Sequence, residues 1–332
     1  MSANASIDID ASHVDIIVSG HICLDLIPQM EHVTPQALAT PGLLLEVGQL
    51  DSATGGTVAN TGLALYRLGV KVGLMASVGD DLIGEAIVQN LSQIDPELVR
   101  CIGVLPGRQS SYSLVLSPQR ADRTFLHCTG TNSTFDETSV DYSLLKRARI
   151  FHLGYPPLLP RLIEADGERL QRLFSLAKAT GITTSMDMAM PDPNGPSGGA
   201  NWPAILNKIL PEVDVFLPSI EEILFMIRRP DYNAWQGDIL GHLSAEYLFD
   251  LAGELIQMGT ALAGFKLGEL GLYLRGASAE RIQRLKTLAL DAGAWANMAY
   301  WQPAFQVEVA GTTGAGDAAY AGFLCALLNG AT

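Results

Sequence analysis

The residues with the clearest chemical potential lie near the end of the chain, in Gly311-Thr312-Thr313-Gly314-Ala315-Gly316-Asp317. An apolar, strand-like run over residues 305–309 leads into this glycine-rich turn. A helical pattern follows through Ala318, Ala321, Leu324 and Leu327. Small residues ahead of a helix let backbone amides crowd around one point, and the helix dipole adds its positive end there. Such a turn suits an anion. Asp317 would sit beside that anion, which is unfavourable for a carboxylate unless a hydroxyl lies between the two. The arrangement therefore predicts a base that receives the proton of an alcohol attacking phosphorus. A plain strand-to-helix turn with an N-capping aspartate is the structural alternative.

A second constellation lies far upstream. Gly55 and Gly56 open a helix with apolar positions at Val58, Leu65 and Leu68, and Gly69 stops it. Asn60 falls one turn in. Asparagine is a poor helix former, so it either serves a hydrogen bond there or faces solvent. Asp25 follows a short buried strand over residues 15–19, in Gly20-His21-Ile22-Cys23-Leu24-Asp25. By itself it reads as a carboxylate at a loop edge. Two later strand ends carry polar groups. Ser219 and Glu222 have the spacing of a capping box. Lys266, Gly268 and Gly271 lie where a strand turns, and a lone lysine there is commonly a solvated strand end.

These residues need a frame. From Ala148 onward strand and helix patterns alternate: strands at residues 150–153, 183–188, 213–217, 262–266 and 271–275, and helices at 162–180, 202–209, 220–227 and 248–258. Another strand is expected at 70–78. That rhythm predicts a mostly parallel sheet with helices on both faces, and ligands beyond the carboxyl ends of its strands. Residues 112–116 and 123–127 read as an antiparallel hairpin. With an expected strand at Leu43–Val47, they would form a small second sheet.

Composition narrows the classes. The 332 residues are 48% hydrophobic and 17% charged, which describes a globular chain. A net charge of -14 argues against a nucleic-acid partner and against an anionic membrane surface. The scattered Cys23, Cys101, Cys128 and Cys325 suggest buried thiols in a reducing compartment. The polar, acidic N-terminus lacks a signal-peptide pattern, and no apolar run is long enough to span a bilayer. A cytoplasmic enzyme is expected.

The full string from Gly311 to Asp317 resembles the second signature of the ribokinase-like sugar kinases, also called the phosphofructokinase B (PfkB) family. The Gly55–Gly69 stretch resembles the family's first signature, and Gly79-Asp80-Asp81-Leu82-Ile83-Gly84 matches a turn that is mostly structural. The resemblance runs from about Asp15 to the last residue. It implies one ribokinase-like domain over 1–332: a three-layer α/β/α fold with a mostly parallel sheet and a small β-sheet lid, its lid segments near 26–50 and 108–128. It implies an ATP-dependent kinase acting with Mg2+ on a hydroxyl of a small sugar or sugar acid. Asp317 would be the base, with the amides of Gly314, Ala315 and Gly316 as anion hole. Asp25, Gly55, Gly56 and Asn60 would hold the acceptor. Lys266, Gly268, Gly271 and Ser219 would meet the nucleotide, and Glu222 would place magnesium through water. The lid would close over the sugar or form a homodimer contact.

The chain also departs from the family pattern. Gly311 stands where many members have aspartate, so potassium dependence is not expected. Ala319 stands where phenylalanine is usual, and Ser219 where asparagine is usual. The run Asp187-Met188-Ala189-Met190-Pro191 lacks the usual asparagine and arginine. Relatives continue beyond the position of Thr332 with segments that help wall the adenine pocket. A nucleoside kinase on the same scaffold would need a more aromatic acceptor pocket than Tyr112 and Phe125 offer. A sugar-binding regulator with impaired catalysis is the rival from another class. A dinucleotide oxidoreductase lacks its GxGxxG after the first strand.

Overall fold

A computed structural model describes residues 14–121, 123–308 and 311–331. Its large sheet has nine strands. In chain order these are β1 (Ile16–Gly20), β4 (Val72–Gly79), β5 (Ile102–Leu105), β8 (Ile150–Gly154), β9 (Thr183–Asp187), β10 (Val215–Phe216), β11 (Leu262–Lys266), β12 (Leu272–Gly276) and β13 (Ala299–Gln302). They lie in the order β13-β12-β11-β10-β9-β8-β1-β4-β5, parallel except that β12 runs antiparallel to both of its neighbours, β11 and β13. The chain leaves β1 for β4 and β5 on one side, then returns for β8 and the rest on the other. The switch point is therefore the β1/β8 pair, where an open α/β sheet leaves a crevice. β1 ends at Gly20 and β8 at Gly154, paired in register. The residues that enter the crevice are thus His21 and Tyr155.

Strand residues alternate between two apolar cores, one on each face. Ile17, Phe151, Phe216 and Phe265 pack with helices Trp202–Ile209, Ile220–Ile227 and Ala245–Met258 and with the Pro160–Ala179 segment. Ile16, Val18, Val215 and Leu262 pack with helices Gly56–Arg67, Leu82–Ile94 and Ala315–Leu328. The three-layer α/β/α expectation holds. In the Pro160–Ala179 segment the backbone is non-helical at residues 164–167, so the helix expected there is two pieces. Leu68 follows the Gly56–Arg67 helix as its C-cap and is exposed, so it does not extend that helix's apolar face. Gly69 follows at φ +82°, as a helix stop should.

The small sheet contains β2 (Cys23–Pro28), β3 (Leu50–Gly55), β6 (Tyr112–Leu116) and β7 (Thr124–Cys128), in the order β3-β2-β6-β7. The hairpin of β6 and β7 is as expected. The strand expected at Leu43–Val47 is absent: that stretch is irregular, with Leu44 89% exposed, and the strand begins at Leu50. Apolar letters there misled because no facing layer buries them. β2 has the opposite history. It carries Asp25 in a strand where a loop was expected, because β3 and β6 flank it and take its backbone groups. The strand-like run before the glycine turn is also irregular over its described part, with Phe305 82% exposed. Residue 309, which completes that run, lies outside the described residues.

Candidate active site

Asp317 lies in the first turn of the Ala315–Leu328 helix and is 3% exposed. Gly314 is the N-cap at φ +76°, a left-handed conformation that glycine takes without strain. Three donors converge on the carboxylate. Thr61 Oγ1 donates to Oδ1 at 2.8 Å, Asn60 Nδ2 to Oδ2 at 3.2 Å, and the Tyr155 hydroxyl to Oδ2 at 2.7 Å. Asn60 and Thr61 come from the helix that Gly55 and Gly56 open. The two glycine-rich stretches, more than 240 residues apart in sequence, therefore meet on one carboxylate. Burial explains why the donors are needed: an ionised carboxylate out of water is stable only when hydrogen-bonded.

A single ammonium lies against the glycine turn. Lys266, at the end of β11, is 8% exposed, and its Nζ lies 3.6 Å from the place where a Cβ on Gly316 would stand. Nζ also donates to both oxygens of buried Asp187, at 2.5 and 2.6 Å. Burial by itself would lower the lysine pKa, but the charges of Asp187 and Glu222 outweigh it and raise it, so Lys266 stays protonated. Its charge is shared between Asp187 and the turn; it is not a solvated strand end. Above the turn, Arg123 at the start of β7 donates from Nη1 to Thr313 Oγ1, tying the small sheet to the glycine turn.

Ser219 N donates to Glu222 Oε2 at 2.7 Å, so these two residues form the capping box that their spacing allows. Burial pushes the Glu222 carboxyl up, while Lys266 and the Ser219 amide oppose that shift. Among the described residues, no three histidine, cysteine or acidic side chains are grouped to hold a metal ion. One partly buried carboxylate beside an ammonium fits a hydrated Mg2+ whose remaining ligands are phosphate oxygens and water. It does not fit a metal bound by protein alone. Gly268 and Gly271 flank the tight turn between β11 and β12, where Leu267 N donates to Gly271 O at 2.8 Å. A Cβ on Gly271 would stand 2.0 Å from Gln302 O, so the sheet itself demands that glycine.

On the other side of the crevice, Asp25 lies in β2 with its carboxylate against Gly55, where a Cβ would come within 2.4 Å of Oδ2. Gly56 is at φ +81°, and a Cβ there would stand 2.5 Å from His21 Nδ1. Burial raises the Asp25 pKa, with hydrogen bonds from Cys23 and Ser113 opposing. Cys23 Sγ lies 3.4 Å from Asp25 Oδ1. His127 of β7 contacts Ser113 Oγ at 3.1 Å and His21 Nε2 at 3.3 Å. Burial first, and His127 second, lower the His21 pKa to about 3, so the pair is neutral near pH 7.

The sequence reading did not single out Tyr155, Thr61, Lys266's partner Asp187, Arg123, His21 or His127. A signal existed for Thr61, one position after Asn60, and for Asp187, noted only for its missing neighbours. Nothing in the sequence marks Tyr155: its role depends on where β8 ends.

The pfkB family carbohydrate kinase model matches residues 14–332. Fructokinase-2 of Zea mays is 27% identical over 217 residues, which is 64% of this chain and 61% of that protein. The 2-dehydro-3-deoxygluconokinase of Thermoproteus tenax is 25% identical over 299 residues, 88% of this chain and 78% of that protein. Among solved structures, Arabidopsis thaliana ribokinase complexed with ribose and ATP superposes with a TM-score of 0.71 at 16% identity, covering 97% of this chain and 88% of that one. That likeness bears on the fold alone. With the family signature matched over nearly its whole length, the chain belongs to the pfkB family of carbohydrate kinases.

Proposed function

We propose that this protein transfers the γ-phosphoryl group of Mg-ATP to a hydroxyl of a small sugar or sugar acid. The observation that carries this reading is the convergence on Asp317. A buried carboxylate at the head of a helix, behind a glycine turn, is joined by Asn60 and Thr61 from the Gly55–Gly56 helix. The acceptor would lie on the Gly55–Gly56 corner, between Asp25 and Asn60. Its hydroxyl oxygen would attack the γ-phosphorus, the bond from that phosphorus to the bridging oxygen would break, and ADP would leave. Asp317 would orient the hydroxyl and take its proton. In a loose transition state the proton leaves late, so positioning matters more than basicity.

The amides of Gly314, Ala315 and Gly316 would face the charge on the transferring group. Lys266 beneath the turn and Arg123 above it would add positive charge there. Bound magnesium would supply charge neutralisation on the phosphates, and Glu222 would meet it through water. Ser219, Gly268 and Gly271 would line the nucleotide side. The small sheet would act as the lid, and its partly exposed β7, with Phe125 and Leu126, leaves a surface on which a second subunit could pair.

The test is ADP release from ATP across a panel of sugars, sugar acids and nucleosides. Turnover with a sugar or sugar acid is expected. Turnover with nucleosides alone would move the reading to a nucleoside kinase. Sugar binding by calorimetry with no ADP release would leave a sugar-binding regulator.

A further inference from the structure

Tyr155 stands where β8 ends, at φ 64° and ψ 46°. Left-handed backbone is strained for an aromatic residue. It is also unusual ahead of a proline, here Pro156, which pushes the preceding residue toward extended conformations. Local bonds hold it there: Tyr155 N donates to Asp187 O at 3.2 Å, and Leu158 N donates to Tyr155 O at 2.9 Å. The result is that a phenol enters the crevice at the sheet's switch point, with its ring 6.1 Å from that of His21. Its hydroxyl donates to Asp317 Oδ2 at 2.7 Å.

That hydroxyl is an alcohol in hydrogen-bond contact with the carboxylate proposed as base. The geometry points to Tyr155 as a gate on Asp317: with no acceptor bound, its hydroxyl holds the acceptor's place and keeps water from accepting the phosphoryl group. The inference rests on the reading of Asp317 as the base. A carboxylate has about four sites for donors. Thr61 takes one site on Oδ1, while Asn60 and Tyr155 together fill Oδ2, so a hydroxyl that reaches Oδ2 must displace one of those two. Thr61 and Asn60 belong to the packed Gly56–Arg67 helix, whereas Tyr155 sits on a strained turn, so Tyr155 is the donor an incoming hydroxyl can displace. Burial first, and the charge of Asp317 second, raise the phenol pKa well above its ordinary value, so the group remains a donor and does not become a competing base.

Without the gate, water could enter. Its oxygen would bond to the γ-phosphorus, the bond to the bridging oxygen would break, and ADP and phosphate would leave. The water proton would pass to Asp317 and then to solvent.

The experiment compares wild type with Tyr155→Phe for ADP release from Mg-ATP with no acceptor present. Tyr155→Phe keeps the ring and removes the hydroxyl. Freeing a general base is expected to raise acceptor-independent hydrolysis ~10-fold or more. The KM for an acceptor sugar should fall, because the acceptor no longer competes with the phenol. A side chain that merely braced Asp317 would give the opposite: acceptor-independent hydrolysis at or below wild type and a lower kcat. That result overturns the gate. Tyr155→Asn provides a second variant should Tyr155→Phe fold poorly, because asparagine tolerates left-handed backbone and also lacks the phenol; it should show the same rise. The main readout needs no known sugar. If wild type phosphorylates no acceptor and neither protein hydrolyses ATP, the kinase reading fails and the gate with it; a working kinase whose Tyr155→Phe variant shows no rise loses the gate alone.

Discussion

Two glycine corners face the crevice, and they are glycine for different reasons. At Gly55–Gly56 the protein fills the space itself: a side chain would collide with the Asp25 carboxylate or with His21. At Gly311 and Gly314 an added Cβ would meet no atom within 4 Å. The first corner is closed by protein packing, so its glycines are structural requirements that also bring the Asn60 helix close. The second is open, and Gly314 is required by its left-handed backbone alone, which turns the helix amides toward unfilled space. Under the proposed function the tight corner would take the acceptor and the open one the phosphates, the division of labour expected when one ligand is read by shape and the other by charge.

The largest effect should come from the group both corners share. Asp317→Asn keeps the shape of the side chain and removes the group proposed to accept the alcohol's proton. It should cut kcat by about 10²–10⁴-fold with little change in sugar affinity, measured by steady-state kinetics beside calorimetry. Near-normal turnover would break the link between the corners.

The contrast between closed and open glycines can be read from stability. Gly56→Ala meets both positive φ and a contact with His21, so it should cost roughly 2–4 kcal/mol in chemical denaturation. Gly314→Ala meets only the backbone penalty and should cost about 1 kcal/mol. Equal losses would show that space does not separate the two corners.

The smallest effect has the opposite sign. Asp25 is a partly buried carboxyl whose pKa is raised in the fold, so the folded state holds its proton more tightly than the unfolded chain does. Stability assigned to Asp25 is therefore present below its unfolded pKa and lost as pH rises through the folded one. Above the folded pKa, where the group is ionised in both states, its burial is a cost. Asp25→Asn should then raise the thermal midpoint slightly at pH 7, with the advantage fading at acid pH, while sugar binding is lost. A lower midpoint at pH 7 would mean that Cys23 and Ser113 hold the ionised form better than burial penalises it.

Strand–helix alternation after Ala148 was enough to predict a parallel sheet, because each buried strand shows as an apolar run and each amphipathic helix as a 3.6-residue period. The glycine turn before the last helix was equally legible: small residues before a helix constrain the backbone locally, and local constraints are written in adjacent letters. The small sheet was harder. Leu43–Val47 and residues 305–308 carry strand-like letters but have no layer to bury them, whereas Cys23–Pro28 carries an acidic residue and is a strand because two neighbours pair with it.

The sequence by itself determined the fold class, the two glycine corners and the positions of Asp317 and Asn60 at helix starts, because those depend on patterns of a few consecutive residues. Only the tertiary structure decided which groups face each other. It put Lys266 on Asp187 and brought Thr61 and Tyr155 to Asp317. These pairings join residues on different strands or set them against one helix end. Charge and hydrogen bonding fall off over a few ångströms of space, a distance that separation along the chain does not measure.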